Sequence, residues 1–129
     1  MRILIVDDDF TSRRLLQTFL SEYGQCDVAV NGKEAVEAYR NSMNEWDAYD
    51  LICLDIMMPE MDGQQVLKEI RQIEKGSGKD GLDGVKIIMT TALDDSDNIK
   101  QAFREQCEVY LVKPIEKQKL LDKLKELGF

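Results

Sequence analysis

The stretch Ile3-Leu4-Ile5-Val6-Asp7-Asp8-Asp9 decides the fold. Four apolar residues run without polar alternation and then break into three acids. A strand of that kind is covered on both faces, as strands of a parallel sheet are. The same grammar recurs outward along the chain. Leu51-Ile52-Cys53-Leu54 ends abruptly at Asp55, Val85-Lys86-Ile87-Ile88-Met89 runs into Thr90-Thr91, and Val109-Tyr110-Leu111-Val112 runs into Lys113. Cys26 to Val30 makes one more short strand. Helical spacing fills the intervals: Leu15, Leu16, Phe19, Leu20 and Tyr23, stopped by Gly24; Ala35, Val36 and Tyr39 after a cap at Asn31; Val66, Leu67, Ile70 and Ile73 after the punctuation of Pro59 and Gly63. A weaker stripe of Ile99, Ala102, Phe103 and Cys107 follows, then a last helix carrying Leu120, Leu121, Leu124 and Leu127. Residues 74–84 hold four glycines and read as a flexible connector within the domain.

Five strands alternating with five helices imply an α/β fold: a doubly wound, parallel five-stranded sheet with helices on both faces. Right-handed crossovers favour the flavodoxin-like strand order 2-1-3-4-5. The length of 129 residues, 43% of them hydrophobic, suits a single domain over residues 1–129.

Composition excludes several classes of function. With 17 Lys+Arg against 25 Asp+Glu the formal charge is −8, so no net positive field attracts nucleic acid or an anionic membrane. Histidine is absent, which removes Ser–His and Cys–His catalysis, imidazole zinc sites and a phosphohistidine on this chain. Cys26, Cys53 and Cys107 are odd in number and far apart, so they indicate neither a disulfide framework nor a thiolate metal site. No run of about 18 apolar residues could span a bilayer. The N-terminus lacks the pattern of a signal peptide. A soluble, reducing, cytoplasmic setting is expected.

In a parallel sheet the carboxyl ends of all strands meet at one edge, where ligands bind. That edge collects Asp7, Asp8, Asp9, Asp55, Thr90, Thr91 and Lys113. A lone Asp after a strand is commonly a helix cap, and Asp9 or Thr11 fits that role. Clustered carboxylates repel one another, and protonation of one member or a bound cation relieves them. An all-oxygen set favours a hard ion such as Mg²⁺, which bridges readily to phosphate. With a hydroxyl (Thr91) and an ammonium (Lys113) opposite, such a site suits a phosphoryl group. Asp55, alone at the end of a buried strand, is the expected nucleophile, and Asp7 with Asp8 the cation-holding pair.

Ile3-Leu4-Ile5-Val6-Asp7-Asp8, Leu54-Asp55-Ile56-Met57-Met58-Pro59-Glu60-Met61-Asp62-Gly63, Met89-Thr90-Thr91-Ala92 and Tyr110-Leu111-Val112-Lys113-Pro114 resemble, in order and spacing, the receiver domain of two-component response regulators, in its chemotaxis-type stand-alone form. The resemblance spans essentially the whole chain. It implies phosphorylation at Asp55 by a partner histidine kinase or phosphotransfer protein, and Mg²⁺ held by Asp8, Asp55 and the main-chain carbonyl of Met57, with Asp7 acting through a bound water. It also implies that Thr91 and Lys113 bind the phosphoryl oxygens and that the Lys113–Pro114 peptide is cis. Tyr110 resembles the aromatic switch residue that turns inward with Thr91; it reads equally as an ordinary half-buried strand tyrosine. The domain would be no enzyme in the usual sense, catalysing only its own phosphoryl transfer and slow autodephosphorylation, and it would signal to a downstream protein through the face of its fourth helix, fifth strand and fifth helix.

Where receivers commonly carry a small Gly-Ala element before the fifth strand, this chain has Glu105-Gln106-Cys107-Glu108. Met57 and Leu93, two residues past the acceptor and the threonine, are both apolar, and slow loss of the phosphoryl group is expected from that. Lys117, Lys119, Lys123 and Lys125 read as a solvated face, and Met43, Trp46 and Tyr49 as a hydrophobic plug. The chain is expected to contain no effector domain, either as a stand-alone receiver or as part of a longer regulator. A Mg²⁺-dependent phosphatase would want a second Asp where Met57 stands. A flavin carrier would want a Gly-rich loop where Asp7-Asp8-Asp9 stands. A receiver that docks without being phosphorylated is the remaining rival.

Overall fold

The apolar runs become strands, and the computed structural model, which describes residues 1–45, 47–78, 84–92, 96–104 and 107–129, orders them as the pattern requires. In chain order the elements are β1 (Arg2–Val6), α1 (Phe10–Leu20), β2 (Gln25–Ala29), α2 (Gly32–Asn44), β3 (Leu51–Asp55), α3 (Gly63–Gly76), β4 (Lys86–Thr91), α4 (Ser96–Arg104), β5 (Val109–Val112) and α5 (Lys117–Glu126). All ladders are parallel and the sheet order is β2-β1-β3-β4-β5. Among the described residues no helix is long and apolar enough to cross a membrane.

Alternation splits the strands between two cores. Leu4, Val6, Ile52, Leu54, Ile87 and Met89 face α2 and α3. Ile3, Ile5, Leu51, Cys53, Ile88 and Leu111 face Leu16 and Leu20 of α1 and Leu120 and Leu124 of α5. The two edge strands escape full burial, Gln25 and Val28 of β2 and Val112 of β5 facing solvent, as expected where one side of a strand has no ladder partner. Caps fix the helix starts, with Asp9 accepting from the Ser12 N–H, Asn31 from Glu34 and Asp62 from Gln65 in a reciprocal capping box.

Four details depart from the sequence reading. Helix α1 ends at Leu20 with Ser21 as its cap, and Leu15 is 38% exposed, so the buried stripe is narrower than the apolar spacing suggests. Gly24 serves a close approach rather than a helix stop, because a Cβ there would lie 2.1 Å from the Met1 carbonyl oxygen. Strand β4 continues past Met89 through Thr90 and Thr91, both buried. Helix α3 runs into the supposed connector as far as Gly76. Its last turn is anchored by Glu74, only 1% exposed, which accepts bonds from Arg71 (2.6 Å), the Val85 N–H (2.5 Å) and the Tyr39 hydroxyl (3.1 Å). A carboxylate doing the work of an apolar anchor leaves no hydrophobic signal. Residues 79–83 of the connector lie outside the described residues, as does Trp46.

Tyr49 is buried under the Arg2 guanidinium, 4.6 Å from its ring centroid, and donates to Asp27 at 2.7 Å. Met43 packs against the same core. On α5, Lys117, Lys119 and Lys125 are exposed and Lys123 half-buried; Lys119 and Lys123 make local pairs, with Glu116 at 3.8 Å and Glu126 at 3.3 Å. The three cysteines are free thiols.

Candidate functional site

At the carboxyl edge β1 and β3 lie side by side, Val6 opposite Leu54, so the residues that follow them are neighbours. Asp7 and Asp55 are buried and Asp8 is exposed, and ligand oxygens of all three lie within 4.8 Å of one another. Lys113 leaves β5 with its own N–H donating to the Thr91 carbonyl at 2.7 Å, which extends the ladder by one rung. The Lys113–Pro114 peptide is cis. The lysine Nζ reaches Asp7 Oδ2 at 2.7 Å and Asp55 Oδ1 at 3.4 Å.

The backbone holds these groups from behind. Asp7 accepts from the Asp9 N–H at 2.9 Å, and its carbonyl accepts from Arg13 Nη1 at 3.0 Å. Asp55 Oδ1 accepts from the Met57 N–H at 3.3 Å. The Ile56 N–H donates to the Thr90 carbonyl, and the Gly63 N–H returns to the Ile56 carbonyl, both at 2.9 Å. Gly63 is required there, since a Cβ would stand 2.2 Å from the Asp55 carbonyl oxygen. Between them Glu60 takes a left-handed backbone, φ 69°, which costs a residue other than glycine about 1 kcal/mol.

Burial, and then the negative charge of Asp7, push the Asp55 carboxyl up to about 6, despite Lys113 and the Met57 N–H pulling the other way. Burial opposes the charge on Lys113, yet the hydrogen bond to Asp7 and the charges of both carboxylates outweigh it, so its pKa is raised. Asp9 is lowered by the backbone and side-chain bonds from Ser12, in keeping with its role as a cap. The result is a negative pocket held together by one ammonium. Its donors are all carboxylate oxygens, which match a hard divalent cation and no softer metal.

The structure therefore brings together Asp7, Asp8, Asp55 and Lys113. Thr91, 1% exposed, ends β4. Met57 is 54% exposed beside Asp55. Tyr110 is half-buried and meets Phe103 edge-on, with centroids 6.0 Å apart at 81°. Leu93, Glu105 and Gln106 lie outside the described residues. Of the unusual segment before β5, Cys107 is buried and Glu108 holds Arg71 through both carboxylate oxygens at 3.0 Å. Sequence reasoning missed Arg13, whose hold on a carbonyl has no motif. It gave Thr90 no role, although strand register against Asp55 could have singled it out.

The sequence matches the family described as "Response regulator receiver domain" over residues 3–125. Chemotaxis protein CheY of Halobacterium salinarum is 33% identical over 98% of this chain and 95% of its own length. Chemotaxis protein CheY of Bacillus subtilis is 35% identical over 94% and 92%. Among solved structures, the CheX–CheY–BeF3–Mg²⁺ complex from Borrelia burgdorferi contains a chain 32% identical, with a TM-score of 0.81, covering 100% of this chain and 90% of that one. The chain belongs to the response regulator receiver domain family, the CheY-type module of two-component signalling.

Proposed function

We propose that this domain accepts a phosphoryl group on Asp55 from the phosphohistidine of a partner histidine kinase or phosphotransfer protein, and that the acyl phosphate switches its contacts with a downstream protein. The observation that carries this reading is the position of the Asp55 carboxylate, buried between Asp7 and Lys113 with Nζ 3.4 Å from Oδ1. A carboxylate oxygen of Asp55 attacks phosphorus, the P–N bond breaks, and its electron pair leaves with the donor's imidazole. Lys113 is close enough to transfer its hydrogen bond from Asp7 to an incoming phosphoryl oxygen, and the Thr91 hydroxyl is assigned to a second one.

Asp7, Asp8, Asp55 and the Met57 carbonyl would hold Mg²⁺, which supplies positive charge between the carboxylates and the phosphoryl oxygens. The spacing of the three carboxylates supports that assignment, as does the presence of Mg²⁺ with BeF3 in the Borrelia complex. Met57, two residues past the acceptor, carries no hydroxyl, amide or charged group to orient water, and this favours slow hydrolysis. Tyr110 and the exposed Phe103 and Val112 beside it are the switch surface on α4, β5 and α5 that a partner would read. The charge of −8 gives neither nucleic acid nor membrane a place in this scheme, and a cytoplasmic setting follows from the role.

Incubation with acetyl phosphate and Mg²⁺ tests the reading. Wild type is expected to gain one base-labile phosphate and Asp55→Asn none. Equal labelling would remove Asp55 from its role, and no labelling of either would leave a docking module. Multiple turnover of a phosphomonoester would favour a phosphatase instead.

A further inference from the structure

Outside the groups already assigned, one buried polar atom near the site has no hydrogen-bond partner among the described residues: the Thr90 hydroxyl. The residue is 1% exposed. It stands directly opposite Asp55 on one side and Leu111 on the other in the sheet register. Alternation from Ile88 puts its side chain on the α1/α5 face, the face that Cys53 and Leu111 share and on which Asp55 and Lys113 continue. Lys113 leaves β5, yet its ammonium pairs with Asp55 on β3 and with Asp7 beyond β1. In the strand order β3-β4-β5 that reach spans β4, whose residue in register with Asp55 is Thr90. Nζ has three N–H donors, and the carboxylates use two.

A buried hydroxyl without a partner is unfavourable, and an isosteric valine would avoid the cost. We infer that Thr90 is a positioning residue for Lys113: its hydroxyl is unpaired while the lysine is drawn to Asp7, and it becomes a hydrogen-bond partner of the ammonium once Lys113 turns to a phosphoryl group on Asp55. The resting arrangement is thereby penalised and the phosphorylated one favoured, so Thr90 sets the balance of the switch without touching the phosphoryl group. This inference rests on the acceptor role proposed for Asp55.

The test compares wild type, T90V and T90S, with beryllium trifluoride and Mg²⁺ as the probe that mimics a phosphoryl group. Without the probe T90V is expected to melt no lower than wild type. Its apparent affinity for the probe is expected to fall about tenfold, the effect of one hydrogen bond to a charged group, and its acyl phosphate to be lost correspondingly faster. T90S, which keeps the hydroxyl, is expected to bind within about twofold of wild type. Probe affinity in T90V equal to wild type would overturn the inference, as would T90S as weak as T90V. A T90V domain that melts well below wild type or fails to fold would also overturn it, since the hydroxyl would then be paired at rest. If wild type itself takes neither phosphate nor probe, the acceptor reading falls first; if wild type and T90V load equally, only the role of Thr90 falls.

Discussion

Asp55 carries its negative charge at a cost. Its carboxyl is pushed up to about 6 in the fold, against an ordinary value of 3.8. The folded state therefore holds this proton more tightly than the unfolded chain does. The stability associated with that proton is complete below about pH 4 and is lost as pH rises through about 6. Between those limits the difference amounts to about 3 kcal/mol at most. Asp55→Asn, which cannot ionise, should unfold at higher urea than wild type at pH 8 without divalent ions, by about 1–3 kcal/mol. The gap should close as the pH is lowered to 4, and it should narrow at pH 8 when Mg²⁺ is added. A gap independent of pH between 4 and 8 would mean that Asp55 is not strained by its neighbours. The residues behind this behaviour were legible in the sequence, because each follows an apolar run and such runs in a parallel sheet end at one edge. Thr90 was not: a hydroxyl at the end of a strand looks the same whether it is paired or unpaired.

At the scale of elements, the start of α3 and the end of β3 are locked by the absence of a side chain at Gly63. A methyl group there would meet the Asp55 carbonyl oxygen at 2.2 Å and the Ile56 Cα at 2.8 Å, both backbone atoms that cannot turn aside. Gly63→Ala is expected to cost about 1–3 kcal/mol and to lower the melting temperature by several degrees. It should also reduce phosphate uptake, because relief of the clash moves the acceptor's own backbone; normal labelling at a lowered melting temperature would separate helix packing from acceptor position. Strands and helices β1 to α3 could be read from apolar spacing almost to their ends. The last turn of α3 could not, since Glu74-Lys75-Gly76 has the composition of a loop and its anchor is a hydrogen-bonded carboxylate. Similarly, Leu15 and Leu16 are adjacent residues of one type, and the packing of α1 on the sheet buries Leu16 and leaves Leu15 exposed.

For the molecule as a whole, the network around Glu74 joins three elements and the segments leading into two strands: Tyr39 of α2, Arg71 and Glu74 of α3, Ile87 of β4 with Val85 just before it, and Glu108 just before β5. Glu74 and Glu108 share the single Arg71 guanidinium, so loss of Glu74 leaves that cation paired with Glu108 but strands the buried Val85 N–H and the Tyr39 hydroxyl. Glu74→Ala should cost about 2–4 kcal/mol in urea unfolding, more than an exposed carboxylate such as Glu37 of α2, whose replacement should change stability by less than about 0.5 kcal/mol. Equal effects at the two positions would show that the buried network adds nothing to global stability.

A second cluster, in which Arg2 pairs with Asp27 and Asp47 and lies over Tyr49, fastens β1, β2 and the approach to β3 at that same end of the sheet. The amino-terminal rim is thus riveted on both flanks, whereas the opposite rim concentrates like charges around a single lysine. Amides along the riveted rim should be the last to exchange with deuterated solvent. Any rearrangement begun by chemistry at the acidic rim would then pivot about an immobile base, with its displacement directed outward across the loops rather than dissipated through the body of the domain.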